Sequence, residues 1–178
     1  LGANGSMEAF AFVIPMNSME NLSYVRTLNS LPIPKALQNG KYDHSYLARY
    51  DAVCSHWFWD TATMMHSWYC ELPKDLGFLQ AFFVREAAYW KDLAKTDDLE
   101  EYYLYGAKDT WATAGVVWAW IHEAPEWAKR NYQLEFPVNF PCHLAEMQGI
   151  DRDMERLEKA RQEIDASIAT KLATLNTM

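Results

Sequence analysis

Two aspartates, Asp43 and Asp109, stand where a carboxylate can do chemistry. Asp43 follows the turn-forming run Gln38-Asn39-Gly40-Lys41-Tyr42, itself placed behind a short apolar stretch. Asp109 comes four residues after Tyr105, a spacing that puts phenol and carboxylate on one face of a helix. That face runs on as Tyr102, Tyr105, Asp109, Ala112 and Val116, apolar apart from the aspartate. A carboxylate on a core-facing stripe is costly unless a cation, a run of backbone amides or a metal ion meets it. Each acid also has a plainer role. Asp109 can be a salt-bridged structural residue, and Asp43 can serve the first turn of a helix, where negative charge is stabilising.

The elements around them follow from local pattern. Glu8 to Pro15 is aromatic and β-branched and closes on a proline, which predicts a strand. Asn21 to Leu31 carries Leu22, Val25 and Leu28 at helical spacing and stops before Pro32 and Pro34. Lys35 to Gln38 predicts a short buried strand, and Tyr42 to Tyr50 a helix with Tyr46, Leu47 and Tyr50 on one face. Asp60-Thr61 reads as the cap of a helix holding Met64, Met65 and Trp68. Pro73 to Phe83 is a further apolar helix. Asp97 or Asp98 caps a long helix reaching about His122, with Glu100 and Glu101 in its first turn. Ala124 to Pro141 is broken by prolines and reads as a connection. Asp151 to Leu175 is an amphipathic helix with Leu157, Ile164, Ile168, Leu172 and Leu175 in one stripe.

Composition bounds the function classes. The chain has 178 residues, half of them hydrophobic, enough for one domain with a core and a short appendage. A net charge of −8 argues against a general duplex-DNA binder, but not against an enzyme holding a few nucleotides of single strand. Cys54, Cys70 and Cys142 make an odd set without a CxxC pair, as expected of reduced thiols. Five histidines show no zinc-ligand spacing with them, and Cys54-x-His56 is an isolated pair. Neither a glycine-rich phosphate loop nor a membrane-length apolar run is present. Trp118, Trp120 and Trp127 read as packing residues rather than a nucleic-acid platform. A cytoplasmic protein is expected, and both ends of the sequence read as cuts through a longer one.

Taken in order, these motifs resemble those of a known family. Gln38-Asn39-Gly40-Lys41-Tyr42-Asp43 is similar to the second motif of the proofreading 3′–5′ exonuclease domain in family A, polymerase I-type DNA polymerases. Tyr105-x-x-x-Asp109, followed by Thr110 and Thr113, resembles the third. Asp60-Thr61-x-x-Met64 resembles an intervening helix start, while Leu72-Pro73-Lys74 and Tyr89-Trp90-Lys91 resemble a phage-type subgroup. Glu146 to Asp151 is similar to the entry into a polymerase thumb. The resemblance implies an α/β, RNase H-like fold: a small mixed sheet flanked by helices, lacking its first strand or strands, with a C-terminal helical extension. Residues 1–123 would be a truncated exonuclease domain, 124–150 a connecting segment and 151–178 the first thumb helix.

The chemistry implied is two-metal hydrolysis with Mg²⁺ or Mn²⁺, releasing nucleoside 5′-monophosphates from a single-stranded DNA 3′ end. Asp109 would ligate the first metal, Asp43 would hold the second through water, and the Tyr105 hydroxyl would orient the attacking water. Gln38, Asn39 and Tyr42 would contact the terminal nucleotide or serve only as turn and packing residues. Partners would be that DNA end and the remainder of a polymerase chain, with no membrane. One departure stands out. The family's first motif, Asp-x-Glu on an early strand, is absent: before Asp43 the acids are Glu8 and Glu20 alone. Asp98-Leu99-Glu100 and Asp153-Met154-Glu155 match its letters but fall at helix starts in the wrong order. The chain by itself is therefore expected to be inactive, and a degenerate exonuclease fold acting as a structural or DNA-guiding module is the alternative. A helical scaffold with chance motifs would instead lack a sheet and keep Asp43 away from Asp109.

Overall fold

The computed structural model describes residues 10–84 and 89–176. The chain divides into two compact units, Leu1–Leu144 and Ala145–Met178. In the first, α1 (Met19–Ser30) begins where Ser18 adopts an extended conformation and its hydroxyl accepts the Asn21 amide at 3.1 Å. Then come β1 (Lys35–Leu37), α2 (Gly40–Ala48) and β2 (Trp57–Asp60). The two strands pair in parallel, Lys35 opposite Trp57 and Leu37 opposite Asp60, with an irregularity after Lys35. Parallel neighbours need a crossover, and the chain from Gln38 to His56, α2 included, supplies it.

Helices dominate the rest. Asp60 caps α3 (Thr61–Trp68), Asp75 caps α4 (Leu76–Phe83), and Asp98 caps α5 (Leu99–Glu123), each through its carboxylate. A 3₁₀ turn, Lys91–Lys95, precedes α5. Next are α6 (Glu126–Glu135), a 3₁₀ turn (Phe136–Val138) and α7 (Asn139–Gln148). The core forms two clusters that share α3 and α5. Met64 meets Val117, Trp120, Ala124, Ala128 and Tyr132, whereas its neighbour Met65 meets Leu76, Leu79, Trp90, Ala112 and Val116. The second unit holds α8 (Met154–Asn176), capped by Asp153. Its stripe is as the sequence predicts, and every residue of the helix is exposed.

Three expectations change. The predicted strand at Glu8 to Pro15 is not one: residues 10–15 have no regular structure, and Phe10 is 88% exposed, while residues 8 and 9 lie outside the described residues. Among the described residues the sheet is two parallel strands, not a small mixed sheet. Residues 10–15 join neither strand of that sheet, and a strand without a ladder leaves its amides and carbonyls unpaired. The segment 124–150, read as a connection, is largely helical and feeds Ala124, Ala128 and Tyr132 into the core. Its prolines stand at helix starts: Pro125 directly before α6, Pro137 within the 3₁₀ turn, and Pro141 as third residue of α7. A missing N–H costs nothing there. No helix among the described residues is long and apolar enough to cross a membrane.

Candidate active site

Asp43 is positioned by the junction between β1 and α2. At the strand's end Asn39 takes a left-handed conformation (φ 52, ψ 51), which asparagine tolerates, and α2 starts at once with Gly40. A Cβ on Gly40 would lie 2.6 Å from the Trp57 ring and 2.7 Å from Leu37 Cδ1, so only glycine lets the turn close against β2. Asp43 is then in the first turn of α2, half-buried. Burial first, and the neighbouring charge of Asp60 second, raise its carboxyl to about 6.

Asp60 ties this junction to the next. Its Oδ2 accepts the Gly40 amide at 2.7 Å, and its Oδ1 accepts the amide and hydroxyl of Thr63 at 2.9 and 3.1 Å. Its own N–H donates to the Tyr132 hydroxyl at 2.9 Å, which donates onward to the Phe58 carbonyl at 2.9 Å. Burial, above all, pushes the Tyr132 phenol far above its usual range. A cleft of about 480 Å³ opens beside Asp60, its lining including Asn39, Lys41, Thr63, His66, Glu135 and Val138. Neither Asp43 nor Asp109 lines it.

The second half of the predicted site is on α5, where the stripe passes from exposed Tyr102 to fully buried Ala112 and Val116. Tyr105 and Asp109 lie together at the transition, and a cation joins them. The Lys91 ammonium is 2.6 Å from Asp109 Oδ1 and 3.5 Å from the Tyr105 hydroxyl. Trp90 Nε1 donates to the same Oδ1 at 2.7 Å. Lys91 also rests over the Trp90 and Tyr105 rings, 5.1 and 5.0 Å from their centroids. Burial and then the Asp109 charge raise the Tyr105 phenol, which stays a protonated donor at neutral pH.

The structure thus unites Tyr105 with Asp109 and, separately, Asp43 with Asp60. Among the described residues no group of three histidines, cysteines, aspartates or glutamates is placed to hold a metal. The chain matches no described protein family, no curated protein and no solved structure.

The remaining candidates are committed elsewhere or open to solvent. The Gln38 amide donates to the Lys74 carbonyl at 2.7 Å and accepts the Thr61 hydroxyl. Asn39 faces the cleft, and Tyr42 is 69% exposed, stacked on Tyr46. Trp120 is core, Trp118 lies against His122, and Trp127 is half exposed. Sequence reasoning missed Lys91 and Tyr132 as parts of these sites. Tyr132 had a signal, since Ala124, Ala128, Tyr132 and Phe136 recur every fourth residue through the supposed connection.

Proposed function

We propose that this chain is the Asp43- and Asp109-bearing part of a 3′–5′ exonuclease domain of the family A polymerase type, RNase H-like in kind and inactive alone. The observation that carries the reading is Asp43 itself. A strand end and a glycine turn deliver it to a place where burial first, and the charge of Asp60 second, raise its carboxyl to about 6. Environments that disfavour a charge in this way cluster at functional sites. The ordered motifs and the Tyr105–Asp109 pair support the same reading.

The residues present do not by themselves fit two divalent cations. Asp109 is ion-paired to Lys91, and no three-ligand group exists among the described residues. An Asp-x-Glu pair would have to come from outside this sequence. What the chain contributes is a Tyr105 phenol kept protonated beside Asp109, and a carboxyl at Asp43 that changes charge near neutral pH. The alternative, a degenerate module with a structural task, draws on the Lys91–Asp109 pair, which satisfies the acid without any ligand.

The test is release of mononucleotides from a 3′-labelled single-stranded oligonucleotide with Mg²⁺ or Mn²⁺. The chain alone should release none. A chimaera carrying an Asp-x-Glu strand of a polymerase I exonuclease ahead of Leu1, shown folded by circular dichroism, should release them and lose that activity with Asp43→Asn. A folded but inert chimaera leaves the degenerate module.

A further inference from the structure

Lys91 is held more firmly than a surface ion pair requires. Its ammonium meets Asp109 Oδ1 at 2.6 Å, faces two aromatic rings, and approaches the Tyr105 hydroxyl at 3.5 Å. Lysine and aspartate side chains are 24% and 29% exposed, so water screens the pair only in part. By contrast Lys95, in the same 3₁₀ turn, pairs with Asp92 at 3.8 Å with both side chains about four-fifths exposed. A second cation brought to Asp109 must either displace the ammonium or sit beside a like charge, and both are unfavourable.

We propose that Lys91 is an autoinhibitory internal cation: while its ammonium holds Asp109 Oδ1, a divalent cation must compete with it for that carboxylate. This rests on the reading of Asp109 as a carboxylate of a nuclease site, and it sets a competing charge in a site that also lacks a three-ligand group among the described residues. Lys91 also makes the pair neutral, so Asp109 can sit at the edge of the core beside Trp90 with no ligand bound. Lys91 is a regulatory residue here, acting through Asp109.

Binding of Mn²⁺, followed by loss of the free-ion electron paramagnetic resonance signal, tests this without any activity. Lys91→Met keeps the stem and removes the charge. It should bind Mn²⁺ roughly tenfold more tightly than the parent chain, the worth of one charge-assisted hydrogen bond. Lys91→Met/Asp109→Asn should return to the parent's background, and Lys95→Met should not differ from it. A Lys91→Met chain that binds no better than the parent overturns the proposal, as does a gain that survives Asp109→Asn. Should Lys91→Met fail to fold, Lys91→Gln takes its place, and failure of both assigns Lys91 to the fold and likewise overturns it. An inert chimaera together with a Lys91-dependent Mn²⁺ site would remove the nuclease reading and leave the competition standing.

Discussion

Replacing Asp43 by asparagine should make the protein more stable, and only above a definite pH. The carboxyl has an ordinary value of 3.8 and is raised to about 6 in the fold, by burial and by Asp60. Below the lower value both folded and unfolded chains are protonated there, and Asp43 costs nothing. Between the two values the unfolded chain ionises while the folded one keeps its proton, so stability falls as pH rises. Above about 6 the penalty is complete. At roughly 1.4 kcal/mol per pH unit the difference is worth about 3 kcal/mol. Partial contact with water brings the expectation to between about 1 and 3 kcal/mol. Urea unfolding followed by tryptophan fluorescence, at about pH 4 and about pH 7.5, reads it directly. Asp43→Asn should match the parent at the lower pH and exceed it at the higher one. Equal stability at both, or a loss at the higher pH, would show that a favourable contact of the charge outweighs burial and Asp60.

Other positions give sharper single-site losses. Gly40→Ala should destabilise by about 1–3 kcal/mol in the same unfolding assay, because its methyl would enter the Trp57 ring at 2.6 Å. Asp60→Ala removes the α3 cap and strands the Gly40 amide, an expected cost of about 2–4 kcal/mol; a loss under 1 kcal/mol would show that water replaces the carboxylate. Tyr132→Phe leaves the Asp60 amide and the Phe58 carbonyl without their shared hydroxyl and should cost about 1–3 kcal/mol by denaturant titration. His44 is held neutral, by burial and then by His143, so its pKa is lowered from 6.5. The unfolded chain therefore takes up a proton first as pH falls below about 6.5, and stability drops with it. His44→Phe, which keeps a ring against Trp57, should flatten that acid limb of the thermal midpoint against pH.

Much of the scaffold was legible because its signals are local. Asp60 and Asp98 are caps followed by helical periodicity, and their carboxylates accept helix amides in the structure. The sheet was harder. Trp57-Phe58-Trp59 is a strand only because Lys35 to Leu37 lies alongside it, a partner that no window of sequence contains. Prolines misled around α6 and α7, where they open turns of helix rather than break them. At the site, adjacency along α5 made Tyr105 with Asp109 readable from spacing. Lys91, eighteen residues before Asp109, was noticed only as part of a subgroup signature, since an ion pair at that separation depends on how the 3₁₀ turn docks on α5. The Asp43–Asp60 repulsion was hidden for the same reason: α2 and β2 come together through the sheet.

The fold treats its two predicted acids in opposite ways, and the contrast separates their roles. Asp109 receives an ammonium, an indole N–H and a neighbouring phenol, so a structural account of it is complete without any ligand. Asp43 receives burial and a second carboxylate, and both act against its charge. Asparagine would fill the same volume in the first turn of α2 without that penalty. A scaffold with no further task gains from the negative charge at Asp43 only its place in the first turn of α2, which burial and Asp60 outweigh, whereas a site completed by a cation gains directly, since the cation reverses the term that Asp60 makes unfavourable. The stability released by Asp43→Asn therefore measures how strongly the chain departs from its own structural optimum at this position. The same substitution should abolish hydrolysis in the chimaera, because an amide cannot supply the anionic oxygens that hard divalent cations prefer. Gain of stability together with loss of function is the combination a structural aspartate does not produce.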